Sequence, residues 1–263
     1  MDEIQAGEFW NQNAETWTLL ARAGYDVYRD HLNTPAFFQI LPAVNGLHGI
    51  DIGCGEGYNT RLLAQRGAIM EAIDIAENFI AKAQEEEHQN RLGIKYGVAS
   101  ATQLPFHDRS FDFATSFMCL MDIPNPEKAL REVYRVLKPN GFLQFSITHP
   151  CFITPHRKNL RNPITRKSYA IEIGDYFKNP NGKVDEWIFG EAPPELKFTL
   201  PKFKTPLFHW TLTQWINAII EAGFVIEQIN EPFADDETIQ KYPSLQDTQV
   251  VAYFLHIRCT KRG

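Results

Sequence analysis

Positive charge is in short supply: 26 lysines and arginines against 32 aspartates and glutamates leave a formal charge of -6. A protein that follows a phosphate backbone draws most of its affinity from a basic surface, so nucleic acid is not expected as a partner. Cysteine is also scarce. Cys54, Cys119, Cys151 and Cys259 stand far apart, with no CxxC pair and no cluster at metal-ligand spacing. Neither a disulfide framework nor a metal site is expected, and the thiols read as the reduced ones of a cytosolic protein. No stretch reaches the roughly 18 apolar residues that suggest a membrane span. The acidic start MDEIQAGEFW lacks the basic and then apolar build of a signal peptide. A soluble, cytoplasmic chain without a membrane partner is the expectation. Repeats and low-complexity tracts are absent as well. What is present is ordinary globular material, 44% hydrophobic and 22% charged over 263 residues, enough for one large α/β domain or a core with an insertion.

In the first 45 residues, Phe9, Trp10, Trp17, Leu20 and Ala21 recur at helical spacing, and Thr34-Pro35 reads as a cap followed by proline at the first helical position. From His48 onward short apolar runs alternate with amphipathic segments: HGIDIG, YNTRLLAQRG, AIMEAIDI, AENFIAKAQEEEHQ, LGIKYGVAS, SFDFATSF, NPEKALREVYRVLK, GFLQFSIT. Strict alternation predicts a parallel sheet with crossover helices. Gly67 closes one helix, and Asn125-Pro126 opens another that stops at Lys138-Pro139-Asn140-Gly141. From about Pro150 to His209 the alternation lapses into a stretch rich in proline and aromatics, with a turn at Asn179-Pro180-Asn181-Gly182. So long a connection without structure of its own is uncommon, which predicts an inserted cap with some β structure. TLTQWINAIIEAG then reads as a helix ending at Gly223, FVIEQINEP as a strand and TQVVAYFLHIRC as the last strand. The expected organisation is a helical lid at 1–45, a core at 46–149, the cap at 150–209 and the rest of the core at 210–263.

The sharpest local signal is Ile50-Asp51-Ile52-Gly53-Cys54-Gly55-Glu56-Gly57, between the first strand and a helix. Glycines one residue apart let the backbone turn tightly and let a ligand approach with no Cβ in the way. Asp74 ends the second strand twenty-one residues beyond Gly53, where a carboxylate can accept the hydroxyls of an adenosine ribose. A dinucleotide fold would put a third glycine where Tyr58 stands. Asp51 and Glu56 flank the turn, whereas a pyrophosphate needs bare N–H groups and positive potential. Two carboxylates suit a ligand carrying an ammonium and a sulfonium, so S-adenosylmethionine (SAM) fits and NAD fits poorly. The bland alternative is a glycine-rich turn that holds no ligand.

At this point the sequence resembles the class I SAM-dependent methyltransferases. IDIGCGEGYNTRLLAQRG is similar to the family's first motif and helix, AIDIAENFIAKA to its second strand and helix, ASATQLPFHDRSFDFATSF to its adenine loop and fourth strand, and PEKALREVYRVLKPNGFLQFS to the next helix and fifth strand. TLTQWINAIIEAGFVIEQINEP matches the later helix and sixth strand. The resemblance implies a doubly wound, Rossmann-like, seven-stranded sheet, six strands parallel and the last, near Thr248 to Cys259, antiparallel, carrying the lid and the inserted cap. It implies SAM as cofactor, with S-adenosylhomocysteine as product. Asp51, Gly53 and Gly55 would surround the methionine part, Asp74 would hold the ribose and Ile75 would pack on adenine. Ser100, Ala101 and Thr102 would border the adenine edge, and Phe117 would lie beside the amino-acid moiety. Many relatives carry aspartate where Ser100 stands, so the adenine contact departs from the pattern.

For the acceptor the sequence offers candidates. Open α/β sheets build their sites at the C-terminal strand ends, and His149, directly after the fifth strand, is the expected base; the alternative is a histidine that only holds the cap. Asp122 after the fourth strand either orients an acceptor or, as favoured here, caps the turn. Cys151 reads as an inert thiol. The missing Asn/Asp-Pro-Pro-aromatic motif after the fourth strand argues against methylation of adenine or cytosine amino groups. Tyr25 and Arg29, with Tyr28, are read as lid residues, an arginine or phenol there reaching the SAM carboxylate, while Trp17 is read as core. Tyr169, Tyr176, Phe177, Trp187, Phe189, Phe208 and Trp210 make the cap aromatic, either to receive an apolar acceptor or to hold the insert together. The expected function is methyl transfer to oxygen or nitrogen of a small molecule, by a monomer or homodimer. A SAM-binding protein without catalysis and a nucleotide-dependent oxidoreductase are the rivals.

Overall fold

The computed structural model describes Met1–Gly263. The chain opens with helix α1 (Glu3–Arg22). Asp2 accepts from the Gln5 amide while the Gln5 side chain accepts from the Asp2 amide, so two donors that a helix start leaves bare are paired reciprocally. A π turn at Arg29–Asn33 then runs straight into α2 (Thr34–Gln39). Thr34 is therefore not a cap. The residue before it is already helical, and the Asn33 side-chain oxygen is taken by Ser146 Oγ at 2.9 Å and His256 Nε2 at 2.6 Å.

The expected alternation follows: β1 (His48–Ile52), α3 (Tyr58–Gln65), β2 (Ile69–Asp74), α4 (Glu77–Gln89), β3 (Lys95–Val98), β4 (Phe111–Phe117), α5 (Pro126–Val136) and β5 (Leu137–Thr148). Two antiparallel pairs occupy the predicted cap, β6 (His156–Arg161) with β7 (Ser168–Gly174), and β8 (Lys183–Trp187) with β9 (Phe203–Leu207), the second pair enclosing α6 (Pro194–Thr199). Then come α7 (Leu212–Glu221), β10 (Phe224–Asn230), α8 (Asp236–Lys241) and β11 (Phe254–Lys261). The main sheet has the order β10-β11-β5-β4-β1-β2-β3, with β11 antiparallel to both neighbours and the other pairings parallel. β11 starts later than its sequence suggests. Thr248 sits in a helical turn, Pro243–Gln249, where its hydroxyl donates to the Leu245 carbonyl and accepts from the Ala234 amide, so the extended run begins only at Phe254.

Alternate side chains of a strand point to opposite faces, and β2 feeds two cores in this way. Met70 and Ala72 pack with Val44 and Leu63 on one face, while Ile73 joins Ile50, Ile52 and the α5 stripe of Ala129, Leu130, Val133 and Val136 on the other. Each large apolar side chain so buried contributes roughly 1.5–3 kcal/mol, which makes the strand ends a rigid platform. Strand order reverses between β1 and β4, with β2 and β3 to one side and β5 to the other. A crevice at the C-terminal strand ends is the consequence.

The cap is tied down at two places. Asn13 of α1 both donates to and accepts from the Lys204 backbone of β9, each at 2.9 Å. Gln246 grips the Ser168 backbone of β7 in the same way, at 2.7 and 2.9 Å, and Arg157 of β6 pairs with Asp247 at 3.0 Å. No helix is long and apolar enough to cross a membrane.

Candidate active site

The turn after β1 holds Gly53 and Gly55 at positive φ, 69° and 55°. The reasons differ. A Cβ at Gly53 would lie 2.1 Å from Cys119 Sγ, so close packing below the turn demands glycine there. At Gly55 a Cβ would meet nothing within 4 Å, and this backbone faces open space. Asp74, at the end of β2, ties the turn from beneath: its Oδ2 accepts from the Gly55 amide and its Oδ1 from the Ala76 amide, each at 2.9 Å. Burial raises the Asp74 carboxyl above its ordinary range, against the pull of those amides. Each oxygen keeps a lone pair for a further donor.

The other two acids of the motif serve the fold. Asp51 is buried and does not line the cavity; its oxygens accept from Thr60 Oγ1 at 2.6 Å and Thr115 Oγ1 at 2.8 Å, and burial pushes it up to about 6. Glu56 reaches the wall but is clamped by Arg22 of α1 and Arg61 of α3, each at 2.9 Å. The acid flank inferred from sequence is therefore already neutralised at Glu56 and lies behind the turn at Asp51.

Above the crevice lies a cavity of about 730 Å³, within the range usual for small-molecule sites. Gly53, Gly55, Asp74, Ile75, Ala101, Phe117, Tyr25 and Arg29 all line it, as the sequence places them. Ser100 and Thr102 do not: their hydroxyls turn to Glu3 of α1, which itself lies on the wall. Arg29 is held by Asp30 at 2.7 Å and by the Ala21 carbonyl at 3.2 Å, over the Tyr58 ring at 4.1 Å, while its Nη1 makes no hydrogen bond within the protein. Asp26, beside Arg29 on the same wall, is pushed up to about 6 by burial.

The expected base stands off the cavity. His149 does not line the cavity and is 3% exposed. Its Nδ1 accepts from the Cys151 amide at 3.2 Å, which assigns the proton to Nε2, and Nε2 lies 2.7 Å from Glu231 Oε1. With both ring nitrogens committed, no lone pair remains to take a proton. Burial lowers its pKa, partly offset by Glu231.

Two wall residues have what His149 lacks. The Asp122 carboxyl, after β4, makes no side-chain hydrogen bond, caps neither adjoining helical segment and is raised well above the ordinary range by burial. His209, which no motif signalled, donates from Nε2 to the Tyr176 carbonyl at 2.8 Å and leaves Nδ1 unpartnered. Trp17, read as core, sits at the centre of an aromatic cluster with Trp10, Trp187, Phe189 and Phe203, at ring distances of 4.7 to 5.7 Å, and also faces the cavity. From the cap, Trp187, Phe189 and Phe208 reach the wall, whereas Tyr169 and Phe177 face outward and Trp210 packs on the main core. The Cys151 thiol stays off the wall, 3.9 Å from the Tyr176 hydroxyl.

A family model described as a methyltransferase domain matches residues 50–145. A ubiquinone biosynthesis O-methyltransferase of Coxiella burnetii is 32% identical over 119 residues, 44% of this chain and 51% of that one. The chain thus spans about half the length of the curated O-methyltransferases it matches. The crystal structure of an S-adenosylmethionine-dependent methyltransferase from Mesorhizobium loti superposes with a TM-score of 0.68 at 26% identity, over 86% of this chain and 96% of that one. A Listeria monocytogenes structure at 22% identity shares the fold, with a TM-score of 0.69 over 88% of this chain and 97% of that one.

Proposed function

We propose that the chain is a class I SAM-dependent methyltransferase, the methyltransferase-domain match over residues 50–145 and the likeness to the Mesorhizobium loti structure supporting that reading, and that the cavity binds SAM and directs its methyl group to an oxygen or nitrogen of a small acceptor. The observation that carries the reading is the pairing of Gly55 with Asp74. An open backbone with no Cβ stands beside a buried carboxylate whose two oxygens each hold one amide and have room for another donor. That pair of acceptors fits a ribose diol. Gly53, Gly55, Asp74, Ile75, Ala101, Phe117, Tyr25 and Arg29 would hold the cofactor, with Arg29 Nη1 free to meet its carboxylate. Asp51, Ser100 and Thr102 would support that wall from behind.

Bound SAM supplies a methyl group on a sulfonium, a good leaving group that departs as the neutral thioether of S-adenosylhomocysteine. The chain's task is then to position the acceptor and to receive its proton. Asp122, unpartnered at the sheet edge, is the residue assigned to that proton. The aromatic wall of Trp10, Trp17, Trp187 and Phe189 favours an apolar body. Charge bears on the class as well: Arg157, the cavity's other cation, is already paired with Asp247, which favours a neutral or cationic acceptor over one bearing a carboxylate or phosphate. A labelled-methyl screen with SAM over metabolite extracts tests the reading. Transfer into a neutral or cationic small molecule is the expected result, and binding of SAM with no labelled product would favour a protein that does not catalyse. His149→Gln is expected to leave the transfer rate within about fivefold of the parent while lowering stability by about 1–3 kcal/mol through the broken buried hydrogen bonds. A loss of rate with unchanged SAM affinity would restore His149 as the base.

A further inference from the structure

Glu3 stands where no motif announced a carboxylate. From Asp74 toward α1 the cavity wall turns apolar, through Ile75, Ala99 and Ala101, with Ala6 and Gly7 of the helix facing them. The helix packs directly on the end of the strand, where a Cβ on Gly7 would lie 3.1 Å from the Ile75 side chain, so Gly7 and Ile75 close this side of the cavity wall. At its far end the Glu3 carboxylate accepts from Thr102 Oγ1 at 2.7 Å on one oxygen and from Ser100 Oγ on the other, while the Thr102 amide donates to Ser100 Oγ at 3.0 Å. The two hydroxyls have spent their protons on Glu3 and have none for a ligand. The carboxylate keeps a lone pair on each oxygen and takes part in no ion pair.

We propose that Glu3 is the base-selecting residue of the nucleoside subsite: its carboxylate accepts from the exocyclic amino group of adenine, with Ser100 and Thr102 as the residues that position it. The proposal rests on the SAM reading of the same cavity. A carboxylate accepts and never donates, so it rewards an amino group at that ring edge and repels a carbonyl. Because Glu3 belongs to α1, the contact also joins cofactor binding to the seating of the helix against the Ser100–Thr102 loop. A recognition carboxylate is thereby supplied from a segment nearly a hundred residues away from the loop it serves.

S-Adenosylhomocysteine and S-inosylhomocysteine differ at the group in question, amino in one and carbonyl in the other. Calorimetric titration of both into the wild-type protein and into Glu3→Gln separates recognition from packing. The wild type is expected to prefer the adenosyl compound by about thirtyfold, the scale of one hydrogen bond to a charged group. A carboxamide offers both a donor and an acceptor, so Glu3→Gln is expected to bring that ratio to within about threefold. A variant that retains the full wild-type ratio would overturn the assignment, as would a wild type that binds both compounds equally. A wild type that binds neither would overturn it together with the cofactor reading.

Discussion

Asp74→Asn is expected to weaken SAM and S-adenosylhomocysteine binding by about a hundredfold, and by the same factor for both. Equality follows because the ribose is common to the two ligands while the sulfonium is not. Both Asp74 oxygens already hold a backbone amide, of Gly55 and of Ala76. A carboxamide has one oxygen to offer, so the variant must orphan an amide or turn its NH₂ toward one, and it loses the charge that strengthens any bond from a diol. The raised pKa adds a pH test with a definite sign. The ionised carboxylate is the form that accepts two hydroxyls, so acidification should weaken wild-type binding at a higher pH than an ordinary aspartate would dictate, and the variant should lose that dependence. Calorimetry across pH with both ligands measures it. A larger loss for SAM than for its product would mean that Asp74 acts on the sulfonium and that the ribose assignment is wrong.

For Asp122→Asn the expectation is a fall in kcat of about a hundredfold, the lower range of general-base effects, with SAM affinity held within about threefold. The asparagine keeps the volume and one acceptor oxygen but takes no proton. Burial raises the wild-type carboxyl, so its ionisation, and with it kcat, should go on climbing to a higher pH than an ordinary aspartate would allow. The variant's profile should be flat. An acceptor found by the labelled-methyl screen makes both measurements possible. Should kcat survive in Asp122→Asn and collapse in His209→Gln, the proton goes to the cap and not to the sheet edge.

The parts of the fold legible in sequence are those set by local pattern. Alternating runs and helix stops point to the parallel strands, the reversed last one is implied only by the family resemblance, and the spacing from Gly53 to Asp74 agrees with that carboxylate lying under the Gly55 amide. Local pattern does not reach groups whose partner lies far along the chain. Glu56 reads as a free charge until Arg22 arrives from α1. His149 was correctly placed after β5, but the direction of its ring is decided by Glu231 after β10. Asp122 reads as a turn cap, and no signal in its own segment says that it caps nothing. Glu3 is illegible for the same reason, since only the packing of α1 against α4 carries it to Ser100. Composition predicted β structure in the cap, yet the pairing of β8 with β9 spans a helix and has no short-range signature.

The cavity's choice of ligand is the point on which the functional reading turns, and titration calorimetry of the full chain with SAM, S-adenosylhomocysteine and NAD tests it most directly. One molecule of SAM and one of S-adenosylhomocysteine should bind per chain, each displacing the other, with no heat from NAD. Saturable binding of NAD, or none of SAM, would contradict it.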